Sequence, residues 1–299
     1  MTQLVSSGDR PFSSELLLQL LHWRAEAIAS AHLYDIESLE VDLLLEHFAG
    51  WSAGDRLLGR SPARVNWQQL NDAWRQRWRQ RAPLQYIVGV ATWRDLELHV
   101  SPAVLIPRPE TELLIELARP DVLASPPEST WVDLGTGSGA IAIALARLRS
   151  DLSVVAVDVS AEALQIAARN VGRYALDSRV RLWQGSWFAP LQTLKGQLWG
   201  MVSNPPYIPS LDVAELQPEV ARYEPHMALD GGVTGLDAIA SLMQVAPEYV
   251  VSGGFWAVEL MQGQARAVAT ALQADNRYRD IAIHADLNGI DRFVSAKIV

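Results

Sequence analysis

The stretch "TWVDLGTGSGAIAIALA", residues 130–146, limits the fold more than any other part of the chain. It reads as a buried strand, a turn built on Gly135, Gly137 and Gly139, and an apolar helix. A strand that turns this sharply into a helix is the opening of a βαβ unit. The pattern then repeats. Further strands read at "SVVAVDV", "RVRLWQ", "WGMVSN", "GFWAVEL", "IAIHA" and "DRFVSAKIV", with helical stretches such as "AEALQIAARNV" between several of them. Such alternation predicts a parallel sheet covered by helices on both faces, its last two strands close enough to pair antiparallel.

With 299 residues the chain is near the size at which one core stops growing, so two domains are expected. Residues 1–84 read as a helical bundle. Ser13 or Ser14 is placed to cap its first helix. Val41, Leu44, Leu45 and Phe48 recur at helical spacing before Gly50, a natural stop. Asn66 and Gln69 have capping-box spacing, and Trp67, Leu70, Trp74 and Trp78 then form one stripe. The interleaved arginines of "WRQRWRQR" sit about 200° apart in succession, so they make wet helix faces rather than one basic face. Residues 85–106 read as a β-hairpin linker turning at Arg94 and Asp95, with Leu96, Leu98 and Val100 on one side. Residues 107–299 form the α/β domain, and Pro109 belongs in the first turn of its opening helix.

The glycine loop brings backbone N–H groups at a helix N-terminus close to a ligand, and Asp158 at the end of the next strand can hold both hydroxyls of a ribose. NAD and S-adenosylmethionine both use such a site. Asp133 ahead of the loop, giving D-x-G-x-G-x-G, favours the methyl donor, as does the presence of a single such glycine unit. Asp133 is a candidate partner for the donor's ammonium, or a cap for the loop.

The fourth strand of the sheet ends in "VSNPPYIP". In an open α/β sheet this corner and the glycine loop face one crevice. Asn204 offers a side-chain carbonyl, and Pro205 a backbone carbonyl with no N–H of its own to compete. Pro206 helps lock the corner, and Tyr207 offers a ring to stack on a flat group. Two fixed acceptors suit a planar, conjugated NH₂, whose nitrogen gains positive charge when it attacks an electrophile. Adenine, guanine and a glutamine amide all present such a group, and the corner alone does not choose among them. Neither a metal nor a strong base is required.

The net charge of −9 argues against a nucleic-acid partner. The absence of cysteine excludes disulfides, thiolate metal sites and catalysis through a Cys nucleophile. No apolar run reaches membrane-spanning length, and "MTQLVSSGDRPF" lacks the features of a signal peptide, so a cytoplasmic protein is expected. Nothing requires more than a monomer.

The chain resembles the release factor glutamine methyltransferases of the HemK/PrmC type almost end to end. The resemblance is carried by "PLQYIVGVATW", "VSPAVLIPRPETELLIE", "VDLGTGSGAIAIALA", "VDVSAEALQIAARN", "GSWFAPL", "VSNPPYIP" and "EVARYEPHMALDGGVTGLDAI". "SNPPY" is shared with DNA and rRNA methyltransferases; "LIPRPETE" and the "EP..ALDGG..GLD" pattern are far more specific. The resemblance implies an N-terminal helical bundle and a seven-stranded, Rossmann-like class I methyltransferase domain. It implies methyl transfer from S-adenosylmethionine to the amide nitrogen (N5) of the Gly-Gly-Gln glutamine in class I peptide chain release factors, with the bundle receiving that protein substrate. Carried over by position, Gly135, Thr136, Gly137, Ser138, Gly139, Asp158 and Trp187 line the donor. Asn204, Pro205, Pro206 and Tyr207 hold the glutamine, while Arg108, Glu110 and Glu112 shape the site or cap a helix. Three departures stand out: Ser186 where many relatives have an acid, "TWRDL" at the hairpin turn, and "VELMQGQA" in place of an acid-x-Gly-x-x-Gln pattern, with Gln264 keeping the glutamine.

Overall fold

The computed structural model describes residues 14–299, so Ser13 and the N-terminal stretch lie outside the described residues. The chain divides into two compact units at the Val88–Gly89 junction.

The first unit is helical: α1 (Ser14–Leu33), α2 (Ser38–Ala49), α3 (Ala53–Leu57), α4 (Trp67–Gln80) and α5 (Leu84–Val88). Leu20, Val41, Leu44, Leu45, Leu70 and Trp74 meet in its core. Trp67, Trp78 and Phe48 pack against it, partly buried. Gly50 closes α2 at φ 64°, and the Asn66 side chain accepts from Gln69 N at 3.1 Å to cap α4. Two expectations fail here. Arg77 is not on a wet face: it is 6% exposed and holds Glu40 with both arms of its guanidinium. Gln85–Val88 is not the start of the hairpin but the end of the helical unit. Ile87 and Val88 pack on the bundle core, and that burial overrides the β preference of their side chains.

The second unit opens with the hairpin β1 (Val90–Trp93) and β2 (Leu96–His99), joined at Arg94, φ 54°, and Asp95. Leu96, Leu98 and Val100 are buried, as their alternation requires. A 3₁₀ turn over Pro109–Thr111 leads into α6 (Glu112–Ala124). The unit continues through β3 (Thr130–Leu134), α7 (Ala140–Leu148), β4 (Ser153–Asp158), α8 (Ala161–Arg173), β5 (Val180–Gln184), β6 (Leu198–Ser203), α9 (Pro218–Tyr223), α10 (Asp237–Val245), β7 (Val250–Glu259), α11 (Ala265–Ala274), β8 (Tyr278–Ala285) and β9 (Asp291–Ile298).

Seven strands form one sheet in the order β5-β4-β3-β6-β7-β9-β8. All pairs are parallel except those made by β9, which is inserted between β7 and β8. Successive residues of β4 serve opposite cores. Val154 and Ala156 pack with Leu114 and Leu145 on one face, Val155 and Val157 with Leu242 and Val268 on the other. This is why the strands read as unbroken apolar runs. The chain winds from β3 outward to β5 and then returns to the other side of β3 as β6. That reversal opens a crevice beyond the carboxyl ends of β3 and β6. Among the described residues no helix is long and apolar enough to cross a membrane.

Candidate active site

The glycine loop leaves β3 at Gly135, φ 74°. Its first turn is tied to the neighbouring strand, since Gly135 N and Thr136 N both donate to Val157 O, at 2.9 and 3.0 Å. Gly137, φ 53°, donates its N–H to Asp158 Oδ2 at 2.8 Å, and a Cβ there would meet nothing within 4 Å. Gly139 starts α7 and lies against Ala167 of α8, so it serves helix packing rather than the cleft wall. Ser138 is held from behind, its carbonyl accepting from Asn170 Nδ2 at 2.8 Å. The same Asn170 takes the His99 N–H on Oδ1 at 2.7 Å and gives a second proton to His99 O at 3.0 Å. One buried side chain thereby acts as a strand edge for the hairpin and a brace for the loop.

Of the two readings of Asp133, the geometry agrees with the cap for the loop. Its strand position shares the face of Trp131, towards α7, so the carboxylate lies behind the loop and is fully buried. Oδ2 accepts from Thr136 Oγ1 at 2.5 Å and from Ala142 N at 3.1 Å, while Oδ1 has no partner among the described residues. Burial pushes this carboxyl up to about 7, against the pull of its two hydrogen bonds. It caps the loop and the helix rather than lining the cleft. Asp158 does line the cleft. Its Oδ1 accepts from Ser160 N at 3.0 Å, so both oxygens are anchored by backbone and each keeps a further lone pair.

Across the cleft stands the β6 corner. Asn204 lines the wall and donates from Nδ2 to Thr111 Oγ1 at 3.1 Å, leaving Oδ1 as an acceptor. Pro206 lines the wall as well, whereas Pro205 is buried. Tyr207 is not a free stacking platform: its hydroxyl donates to Glu259 Oε1 at 3.2 Å, and its ring packs on the core beneath the sheet. Burial and the adjacent Glu259 push the Tyr207 hydroxyl well above its ordinary range. Glu259, at the end of β7 and 1% exposed, also accepts from Thr111 Oγ1 at 2.6 Å. Burial pushes its carboxyl up to about 7, opposed by these two donors.

The backbone of the corner is clamped from downstream. Gly231 N donates to Ile208 O at 2.8 Å. A Cβ on Gly231 would stand 2.7 Å from Pro206 O and 2.8 Å from Tyr207 Cα, and one on Gly235 would stand 2.2 Å from Tyr207 O. Gln264 donates from Nε2 to that Tyr207 carbonyl at 2.9 Å and accepts from Met261 N at 3.0 Å. The glutamine of "VELMQGQA" therefore keeps a structural task although Met261 replaces glycine.

Trp187 lines the cleft at φ 48°, its ring 3.5 Å from where a Gly135 Cβ would be. Arg108 lines it too and pairs with buried Glu224 at 2.6 Å, against the upward push of burial on that carboxyl. Glu112 faces away, accepting from Arg94 N at 2.9 Å to hold the hairpin turn. Glu110 does not line the wall, though its charge reaches Glu259 and Arg292. One cleft is thus bounded by the glycine loop, Asp158, Trp187 and Asn204, the kind of concave wall that receives a nucleoside-bearing donor. An amide-lined turn, a carboxylate with spare lone pairs and an indole fit such a donor. Thr111, Glu259, Glu224 and Asn170 were missed in the sequence. Thr111 lies inside "LIPRPETE", Glu224 opens the "EP..ALDGG..GLD" pattern and Glu259 is the acid of "VELMQGQA", but none had a visible partner.

The chain is similar to known proteins over nearly its whole length. Residues 19–89 match the family model "PrmC N-terminal domain", and residues 110–218 match "Methyltransferase small domain". The release factor glutamine methyltransferase of Thermosynechococcus vestitus is 46% identical over 289 residues, covering 95% of this chain and 99% of that protein. The enzyme of the same name from Synechocystis sp. is 45% identical, covering 93% and 96%. That from Mycobacterium tuberculosis is 35% identical, covering 94% and 91%. Among solved structures, the hMettl16 catalytic domain superposes with a TM-score of 0.53 at 12% identity, over 77% of this chain and 81% of that one, a likeness of fold alone.

Proposed function

The chain belongs to the release factor glutamine methyltransferases, S-adenosylmethionine-dependent enzymes that methylate release factors, and from that premise we propose its acceptor atom and the residues that serve it. The acceptor is the side-chain amide nitrogen, N5, of the Gly-Gly-Gln glutamine in class I peptide chain release factors. One observation carries this reading. The Asn204 carboxamide, anchored through its Nδ2, lines the same cleft as the glycine loop and Asp158.

S-adenosylmethionine, when bound, supplies an electrophilic methyl group. Thr136, Gly137 and Ser138 offer the loop that receives it, Asp158 takes the ribose hydroxyls, and Trp187 packs beside the adenine. Asn204 Oδ1 accepts one N–H of the glutamine amide, and the Pro205 carbonyl accepts the other. An amide nitrogen is a poor nucleophile because its lone pair is delocalised. Two fixed acceptors orient that nitrogen and stabilise the positive charge it gains as the new N–C bond forms and the donor's S–CH₃ bond breaks, the electron pair staying on sulfur in S-adenosylhomocysteine. The product nitrogen then sheds a proton to water without a dedicated base. Tyr207 supports the corner rather than touching the amide, and Arg108, held by Glu224, supplies a polar rim for the incoming peptide. The helical unit docks the body of the release factor. We place the enzyme in the cytoplasm, acting as a monomer.

The test is methyl transfer from radiolabelled S-adenosylmethionine to a class I release factor, its Gln→Ala tip variant, DNA and rRNA in parallel. Label on the wild-type factor alone is expected. Label on the tip variant, or on nucleic acid only, would overturn the acceptor.

A further inference from the structure

Asn204 is useful only one way round. A carboxamide has an acceptor at one end and two donors at the other. Flipped about its last bond, Asn204 would set its own NH₂ against the N–H groups of the substrate amide. Its orientation therefore needs a cause, and the neighbouring atoms provide one. The Nδ2 end lies 3.1 Å from Thr111 Oγ1. A hydroxyl both donates and accepts, so Thr111 by itself would tolerate either end of the amide.

Thr111, however, has one proton to give. Its Oγ1 lies 2.6 Å from Glu259 Oε2, and once that buried carboxyl is ionised, above about pH 7, it can only accept. The proton is committed there, leaving Thr111 nothing but lone pairs to offer Asn204, so the amide must present Nδ2. Glu259 cannot swing away, because Tyr207 donates to its other oxygen at 3.2 Å. Gln264 in turn holds the Tyr207 carbonyl at 2.9 Å. Thr111 and Glu259 are 4% and 1% exposed, so water does not compete for these bonds.

We propose that Thr111 and Glu259 are positioning residues whose hydrogen bonds set the direction of the Asn204 amide. This rests on the reading of Asn204 as the acceptor for the substrate amide. Three elements converge to build the device: the turn before α6, the end of β6 and the end of β7.

Thr111→Val keeps the shape and removes the hydroxyl. Assayed at about pH 8.5 with release factor, it should lower kcat about tenfold with KM changed less than threefold. Donor binding by calorimetry should be unaltered, and Thr111→Ser should restore turnover to within threefold of wild type. In an Asn204→Ala background, Thr111→Val should cost nothing further, which a merely structural role would not produce. The inference alone falls if Thr111→Val turns over normally while Asn204→Ala loses a hundredfold, or if the two losses multiply. Normal turnover of Asn204→Ala itself overturns both the inference and the reading beneath it. A Thr111→Val protein that fails to fold while Thr111→Ser is inactive also overturns it, since serine keeps the proton and the lone pairs.

Discussion

Removing the Asp158 carboxylate should weaken donor binding roughly a hundredfold. Oδ2 takes the Gly137 N–H at 2.8 Å and Oδ1 the Ser160 N–H at 3.0 Å. A carboxylate has about four lone-pair sites, so two remain for the vicinal hydroxyls of a ribose. Each hydrogen bond to a charged acceptor is worth about 1.5–3 kcal/mol. Asp158 is half-buried at the cleft wall, so the low end of that range applies, and two bonds give about 3 kcal/mol, close to two orders of magnitude in Kd. The Gly137 and Ser160 bonds exist without ligand, so Asp158→Ala should also destabilise the free protein, by about 1–3 kcal/mol. Asp158→Asn should not rescue binding: one end of its amide would oppose a backbone N–H that the carboxylate now accepts. Calorimetric titration with S-adenosylhomocysteine reads the affinity, and urea unfolding of the free protein reads the stability. An affinity for Asp158→Ala within threefold of wild type would refute the reasoning and move the ribose contact elsewhere.

Two further outcomes follow from the same neighbourhood. Asp133 has a folded-state pKa of about 7, raised by burial above the usual carboxylate value. The folded protein thus keeps a proton that the unfolded chain releases, so this group's stabilisation is full below about pH 4 and lost as pH rises to about 7, a change of about 4 kcal/mol. Asp133→Asn, which cannot titrate, should flatten the fall in unfolding free energy across that window without abolishing it, because Glu259 is raised in the same direction; an unchanged slope would show that Asp133 is not its source. Gly231→Ala puts a methyl 2.7 Å from the Pro206 carbonyl, backbone that cannot step aside, and should cost about 1–3 kcal/mol. Turnover should drop at least tenfold with donor affinity kept, and full activity in the transfer assay would mean the corner tolerates the shift.

The seven strands were legible because buried parallel strands are apolar throughout and glycine or proline punctuates their ends. The crevice followed from the reversal of strand order. Other features depend on partners far away in the chain. Arg77 reads as a surface arginine until Glu40, 37 positions earlier, is brought against it. Leu84–Val88 has β-branched residues but gains more from the bundle core than from a strand. The inward placing of Asp133 was readable from strand parity with Trp131, a signal the motif overshadowed. Thr111 and Glu259 acquire meaning only where three elements converge, and no spacing in the sequence encodes that meeting.

The clamp on the β6 corner has a consequence for how such a site can be transplanted. Asn204–Tyr207 are shaped by Gly231, Gly235 and Gln264, which come from two later segments and touch the corner's own backbone. The four residues are the visible end of a joint whose other half is written elsewhere. Grafting "NPPY" onto a foreign strand would carry the side chains and leave behind the mould that bends them. Drift in the downstream glycines would erode activity while Asn204–Tyr207 stayed intact.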